Sequence, residues 1–320
     1  MMSAAAAPMI EVRGLEKRFG ALIAVAGLSF AVQPGEIFGL VGPDGAGKTT
    51  TMRMLASVMR PDAGSTVIDG IDVLARPEQA KRHVSYMPQR FGLYEDLTVD
   101  ENIRFYADLF EVPRAVWQSR ADAMLAAADM TLFRKRLAGQ LSGGMKQKLG
   151  LTCSLVHTPR VLLLDEPTTG VDPLSRREFW QILFSLRGEG VAMLISTAYL
   201  DEAERCDRLA LLHAGTMTYC DTPAGLKARM PGAMLEIVGA DPRRACDALR
   251  ALPGVQGVLL VGIAVHVHVD SAERRPQIAA ALAAAGIALS TIDEVAPSIE
   301  DLFVALLEQE SVQKSVQKSA

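Results

Sequence analysis

Short, fully apolar runs alternate with helical patterns between Ile37 and His213, and this alternation predicts βα units around a mainly parallel sheet. Ile37–Val41, Val161–Leu164 and Val191–Ser196 are such runs. Between them Met52, Leu55, Ala56 and Met59 fall at i, i+3, i+4 and i+7, as do Leu149, Thr152, Cys153 and Val156. That spacing puts each set on one face of a helix. From about Asp100 to Val156 the pattern is helix-rich, between strand signals at Val84–Met87 and at Val161. The stretch is far longer than an ordinary crossover and predicts a helical subdomain, about residues 90–156, inserted in the α/β core.

The pattern changes after Arg229-Met230-Pro231-Gly232. Residues 234–308 read β-α-β-β-α-β-α, with strands at Met234–Val238, Val255–Val261, Ala264–Val269 and Ile287–Ile292, a second, small α+β domain. His266 and His268 share one face of a strand there, which is expected to be solvated rather than metal-binding. Residues 309–320 include the polar repeat SVQKSVQKSA and are expected to be disordered.

Composition adds exclusions. The 320 residues exceed what one compact core usually organises. A formal net charge of -4 gives no basic footprint, so nucleic acid is not expected as a partner. Three uncharged runs, Phe19–Gly35, Ala251–Val269 and Pro276–Ile292, are interrupted by Gly or Pro, carry polar residues or consist mostly of alanine. None reads as a membrane span of about 20 strongly apolar residues. The opening MMSAAAAPM has no cationic region and does not read as a cleaved signal, which points to a cytoplasmic protein. Cys153, Cys206, Cys220 and Cys246 show no paired spacing, against a zinc site or a disulfide framework.

The candidate chemistry is concentrated at two strand ends. Gly42-Pro43-Asp44-Gly45-Ala46-Gly47-Lys48-Thr49 matches G-x-x-x-x-G-K-[ST] between an apolar run and a helical pattern, the context a phosphate-binding loop requires. Its glycines let successive N–H groups curl around a phosphate at a helix N-terminus. Lys48 is placed for the β- and γ-phosphates and the Thr49 hydroxyl for Mg²⁺. The run Val161–Leu164 leads into Asp165-Glu166, two carboxylates at the carboxyl edge of a parallel strand. Asp165 is read as a Mg²⁺ ligand, and Glu166 as the group that orients and deprotonates an attacking water.

Leu141-Ser142-Gly143-Gly144-Met145-Lys146-Gln147, lying between the phosphate loop and Asp165, resembles the LSGGQ signature of the ABC ATPases. The resemblance spans about residues 9–230. It implies an ATPase fold with a parallel core sheet, antiparallel N-terminal strands and the inserted helical subdomain. By the same resemblance Phe19 stacks on adenine, and the loop from Gly42 to Thr50, including Pro43, Asp44, Ala46 and Thr50, holds ATP. Gln89 becomes the Q-loop glutamine, near the metal and the reaction, and Gly170-Val171-Asp172 the D-loop. Ser142, Gly143 and Gly144 would complete the site of a second ATPase domain, so ATP is sandwiched in a dimer. A surface including Phe91, Leu93, Tyr94 and Leu97 would meet integral membrane permease chains, placing the protein on the inner face of the cell membrane. The block Pro297-Ser298-Ile299-Glu300-Asp301-Leu302-Phe303 is similar to the C-terminal domain of drug-export ATPases whose ABC type-2 permeases are separate chains.

Three positions depart from that pattern. Asp44 stands for the usual Asn, Met145 for the signature Gln, and Ala198, in Ser196-Thr197-Ala198-Tyr199, for the switch histidine that contacts the γ-phosphate. The expected function is Mg²⁺-dependent ATP hydrolysis powering export through a separate permease. The alternatives are a soluble ABC ATPase acting on ribosome or nucleic acid, and a partly degenerate regulatory ATPase half.

Overall fold

The computed structural model describes residues 7–90, 92–239 and 241–305; Phe91 and the tail expected at 309–320 lie outside the described residues. The chain packs as two compact units. One runs to Tyr199 and takes in Cys206–Cys220; the other comprises Leu200–Arg205 and the chain from Asp221 onward.

In chain order the elements are β1 (Ile10–Phe19), β2 (Leu22–Val32), β3 (Ile37–Val41), α1 (Lys48–Leu55), β4 (Ala63–Ile68), β5 (Ile71–Asp72), α2 (Pro77–Lys81) and β6 (Val84–Met87). Then come α3 (Val99–Leu109), α4 (Arg114–Ala127), α5 (Gly143–Leu155), β7 (Val161–Asp165), α6 (Pro173–Gly188), β8 (Ala192–Thr197), α7 (Leu200–Ala203), β9 (Arg208–His213) and β10 (Thr216–Asp221).

The central sheet has the order β10-β9-β3-β8-β7-β6, and its β9-β3-β8-β7-β6 portion is parallel. All residues of β3, β7 and β8 are buried, as expected of parallel strands covered on both faces. One face packs Leu40, Leu163 and Leu194 against Met52 and Leu55 of α1 and the β1–β2 side chains Leu15 and Leu28. The other packs Leu162, Leu164 and Ile195 against Leu151 and Leu155 of α5 and Phe179, Trp180 and Leu183 of α6. The antiparallel sheet, ordered β2-β1-β4-β5, carries Phe19 at the end of β1.

Helices α3 to α5 share a core of their own, including Val99, Ile103, Trp117, Leu125, Leu149 and Cys153. α3 begins at a capping box, with Thr98 and Glu101 each bonding the other's backbone N–H. Trp180, 1% exposed, is among the largest fully buried side chains of the parallel-sheet unit. Trp180→Ala is expected to lower the unfolding free energy by about 3–5 kcal/mol, read from urea or thermal unfolding.

The second unit adds α8 (Pro223–Lys227), β11 (Ala233–Gly239), α9 (Pro242–Arg250), β12 (Val255–Val261), β13 (Ala264–Val269), α10 (Arg275–Ala284) and β14 (Leu289–Val295). Its sheet order β12-β13-β11-β14 is antiparallel throughout, the interleaved split βαβ arrangement of ferredoxin-like folds. α9 and α10 cover one face through Ala245, Leu249, Ile278 and Leu282. β14 starts at Leu289, two residues later than expected, and Ile287 ahead of it is buried in that helix-covered core. α7 groups with this unit: Glu204 accepts the Ile299 N–H at 3.0 Å and pairs with Lys227 at 2.7 Å.

The face with His266 and His268 is not solvated, contrary to the expectation from strand alternation. Residues 299–305 are helical, and their Asp301, 3% exposed, meets His266 Nδ1 at 3.0 Å. His268, itself buried, has Nε2 2.6 Å from the Pro231 carbonyl oxygen. Alternation identifies which residues share a face; it cannot say whether a later segment covers it.

Cys153, Cys206 and Cys246 are buried, Cys220 is half-buried, and none of the four forms a disulfide. Among the described residues no helix is long and apolar enough to cross a membrane.

Candidate nucleotide site

The loop after β3 turns on Gly47, whose φ of +100° suits glycine and whose missing Cβ would lie 2.4 Å from the Ala24 carbonyl oxygen. Gly42 is equally constrained by space, a Cβ there falling 2.3 Å from the Leu212 carbonyl oxygen. α1 therefore begins at Lys48 with no side-chain cap, leaving its first N–H groups directed at the loop.

A cleft of about 410 Å³ surrounds this loop, lined by Asp44, Gly45, Ala46, Gly47, Lys48, Thr49 and Thr50, with Phe19, Leu22, Ala24, Gln89 and Glu166 completing it. Phe19 and Leu22, 47% and 65% exposed, offer the apolar surface that a flat aromatic base can cover. Gly42 is buried, and Pro43 is half-buried.

Lys48 is only 4% exposed, and its ammonium donates to the Gly42 and Pro43 carbonyls at 2.7 and 3.1 Å and pairs with Glu166 Oε1 at 3.2 Å. Glu166 Oε2 accepts from Gln89 Nε2 at 2.9 Å, so the structure sets Gln89 against Glu166. Glu166 sits at φ +48°, a left-handed conformation uncommon outside glycine and often found at functional sites. It is held by the bonds from its N–H to the Ser196 carbonyl (3.1 Å) and hydroxyl (3.0 Å).

Asp165, 1% exposed, ends β7 with its carboxylate ringed by hydroxyls. Oδ1 accepts from Thr49 at 3.0 Å and Ser196 at 2.6 Å, and Oδ2 from Tyr86 at 3.2 Å. Burial and the charge of Asp165 push the Tyr86 phenol up to about 12, so at neutral pH it keeps the proton it donates. Thr49 and Asp165 are adjacent hard oxygen donors, a set that suits Mg²⁺ when nucleotide phosphates and water supply the remaining ligands. Among the described residues no group of three or more His, Cys, Asp or Glu could hold a metal ion without such co-ligands.

Tyr86 and Ser196 are site residues that sequence reasoning missed. Ser196 carried a signal: it is a hydroxyl closing the apolar run Val191–Ser196, and a fully buried hydroxyl requires a partner. Tyr86 carried none beyond its proximity to Gln89.

Ser142, Gly143 and Gly144 lie outside the cleft lining. Ser142 caps α5 by accepting the Met145 N–H at 3.3 Å, and Gly144 has no room for a Cβ, which would fall 2.5 Å from Ser175. Asp172 caps α6 through the Leu174 and Ser175 N–H groups; those bonds, Ser175 first, hold its carboxyl below the usual range.

Ala198 follows β8 and is exposed. Thr197 Oγ1 accepts the Tyr199 N–H at 2.9 Å, the Tyr199 ring lies 4.4 Å from the Arg176 guanidinium, and neither residue lines the cleft.

A glycine loop opening a helix, a strand-end Asp-Glu pair and an inserted helical layer define a P-loop nucleotide-binding cassette. The ABC transporter family model matches residues 25–169. The chain is 43% identical over 303 residues to the probable multidrug ABC transporter ATP-binding protein YbhF of Escherichia coli (strain K12), covering 93% of this chain and 52% of that protein. It thus spans about half the length of that relative. It is 34% identical over 303 residues to the daunorubicin resistance ATP-binding protein DrrA2 of Streptomyces coeruleorubidus, covering 93% of this chain and 94% of that one. A solved ATP-binding subunit of an ABC transporter superposes with a TM-score of 0.64 at 30% identity, over 69% of this chain and 92% of that structure. The chain belongs to the ABC transporter family, as an ATP-binding protein.

Proposed function

We propose that this chain binds and hydrolyses ATP with Mg²⁺ and powers export through separate integral membrane permease chains, on the cytoplasmic face of the membrane. The observation that carries the reading is the convergence of Lys48, Glu166 and Gln89 in one cleft, with Thr49 and Asp165 bonded beside it and Phe19 on its lining. Lys48 and the loop N–H groups bind the phosphates, and Phe19 stacks on the base. Thr49, Asp165 and Gln89 are the residues that would hold Mg²⁺, which when bound neutralises phosphate charge. Glu166 orients the attacking water and accepts its proton.

Ser142, Gly143 and Gly144 open α5 without lining this cleft, which supports their use against the nucleotide of a second ATPase domain. The helical subdomain offers exposed Tyr94 with half-buried Leu93 and Leu97 as a permease contact. The printed names of the relatives, multidrug transport and daunorubicin resistance, favour an exporter over a ribosome- or nucleic-acid-directed ATPase.

Lys48→Ala tests the site. Removing charge-assisted bonds worth about 1.5–3 kcal/mol should weaken ATP binding about ten- to a hundredfold, read by isothermal titration. Unchanged affinity would remove Lys48, and the cleft with it, from the proposal.

A further inference from the structure

Tyr86 approaches Asp165 from the neighbouring strand. β6 and β7 pair in parallel with Tyr86 opposite Leu163, so Tyr86 and Asp165, two residues beyond Leu163, share one face of the sheet. Thr49 and Ser196 both bond Oδ1, which leaves the Tyr86 hydroxyl, 3.2 Å away, as the described side chain bonded to Oδ2.

We propose that Tyr86 is a positioning residue that fixes the plane of the Asp165 carboxylate for Mg²⁺. This rests on the proposed assignment of Asp165 and Thr49 as metal ligands. A carboxylate turns easily about its last torsion. Bonds to Oδ1 resist that turn from one end of the group only, whereas a donor on each oxygen resists it from both and narrows the orientation that a metal meets. Partners behind a metal ligand typically matter about 10–100-fold in metal affinity.

The experiment uses the full chain and a fluorescent ATP analogue, measuring its affinity in EDTA and then across a Mg²⁺ titration. Tyr86→Phe removes only the hydroxyl. The Mg²⁺ concentration giving half of the affinity gain is expected to rise about tenfold, while binding in EDTA and the melting temperature stay unchanged. The electron paramagnetic resonance spectrum of Mn²⁺ bound with ATP should broaden in Tyr86→Phe, a change that general loosening of the fold would not confine to the metal. An unchanged Mg²⁺ requirement in Tyr86→Phe overturns the proposal. So does a parallel loss of EDTA binding and melting temperature. Asp165→Asn separates the two levels. If it leaves the Mg²⁺ requirement unmoved, the metal assignment itself fails; if it raises the requirement while Tyr86→Phe does not, only the positioning role fails.

Discussion

Glu166→Gln is expected to keep ATP bound while slowing its hydrolysis about 10²–10⁴-fold, the range for loss of a general base. The amide matches the carboxylate in shape, and the left-handed backbone at Glu166 is held by Ser196 rather than by its own side chain. Lys48 keeps its bonds to the Gly42 and Pro43 carbonyls, so the phosphate loop retains its cation. What is lost is proton affinity at the position facing the cleft. If Ser142–Gly144 of one copy close over the nucleotide of another, blocked turnover should also trap a dimer. Gel filtration with ATP and Mg²⁺ reads that directly, and single-turnover assays read the rate. A variant that hydrolyses at the wild-type rate removes Glu166 from the reaction. One that stays monomeric, with or without a second ABC ATPase chain, contradicts the sandwiched site.

The strands that position this site were legible because burial on both faces leaves an apolar run with sharp ends. Ile37–Val41 and Val84–Met87 coincide with β3 and β6, while the run before Asp165 extends one residue further, bringing that carboxylate into β7. The loop was legible because its glycines answer to space: Gly42 and Gly47 each face a carbonyl oxygen closer than any Cβ could stand. Contacts that depend on strand pairing were not legible. Tyr86 reads locally as a core aromatic, and only its register with Leu163 aims it at Asp165. The covered face at His266 was missed for a related reason, since Asp301 lies far along the chain and nothing in the strand reports its arrival. Likewise Leu200–Arg205 directly follows the switch position in the sequence, yet Glu204 ties it to Ile299 and Lys227 of the second unit.

Ala198→His is expected to raise the ATP turnover of the purified chain about a hundredfold or more. In the family resemblance this position carries a histidine that donates to the γ-phosphate, and alanine has no donor to offer. Loss of one such donor costs about 2.7–4 kcal/mol of transition-state stabilisation, which is roughly two to three decades in rate. Its two sequence neighbours carry hydroxyls, and neither lines the nucleotide cleft. Thr197 is 1% exposed with its hydroxyl accepting the Tyr199 N–H, and the Tyr199 ring is stacked beneath Arg176. The site built on this chain's own loop would therefore bind ATP through Lys48 but turn it over slowly. A homodimer would then hold two slow sites, whereas pairing with a histidine-bearing ATPase would leave one fast site, completed by Ser142, Gly143 and Gly144 of this chain. That arrangement would give the intact signature a use beside the altered switch. Steady-state turnover of wild type and variant, each alone and with Mg²⁺, decides it. Equal rates would mean that another group, protein or water, already supplies the missing contact, and a competent homodimer would become the better description.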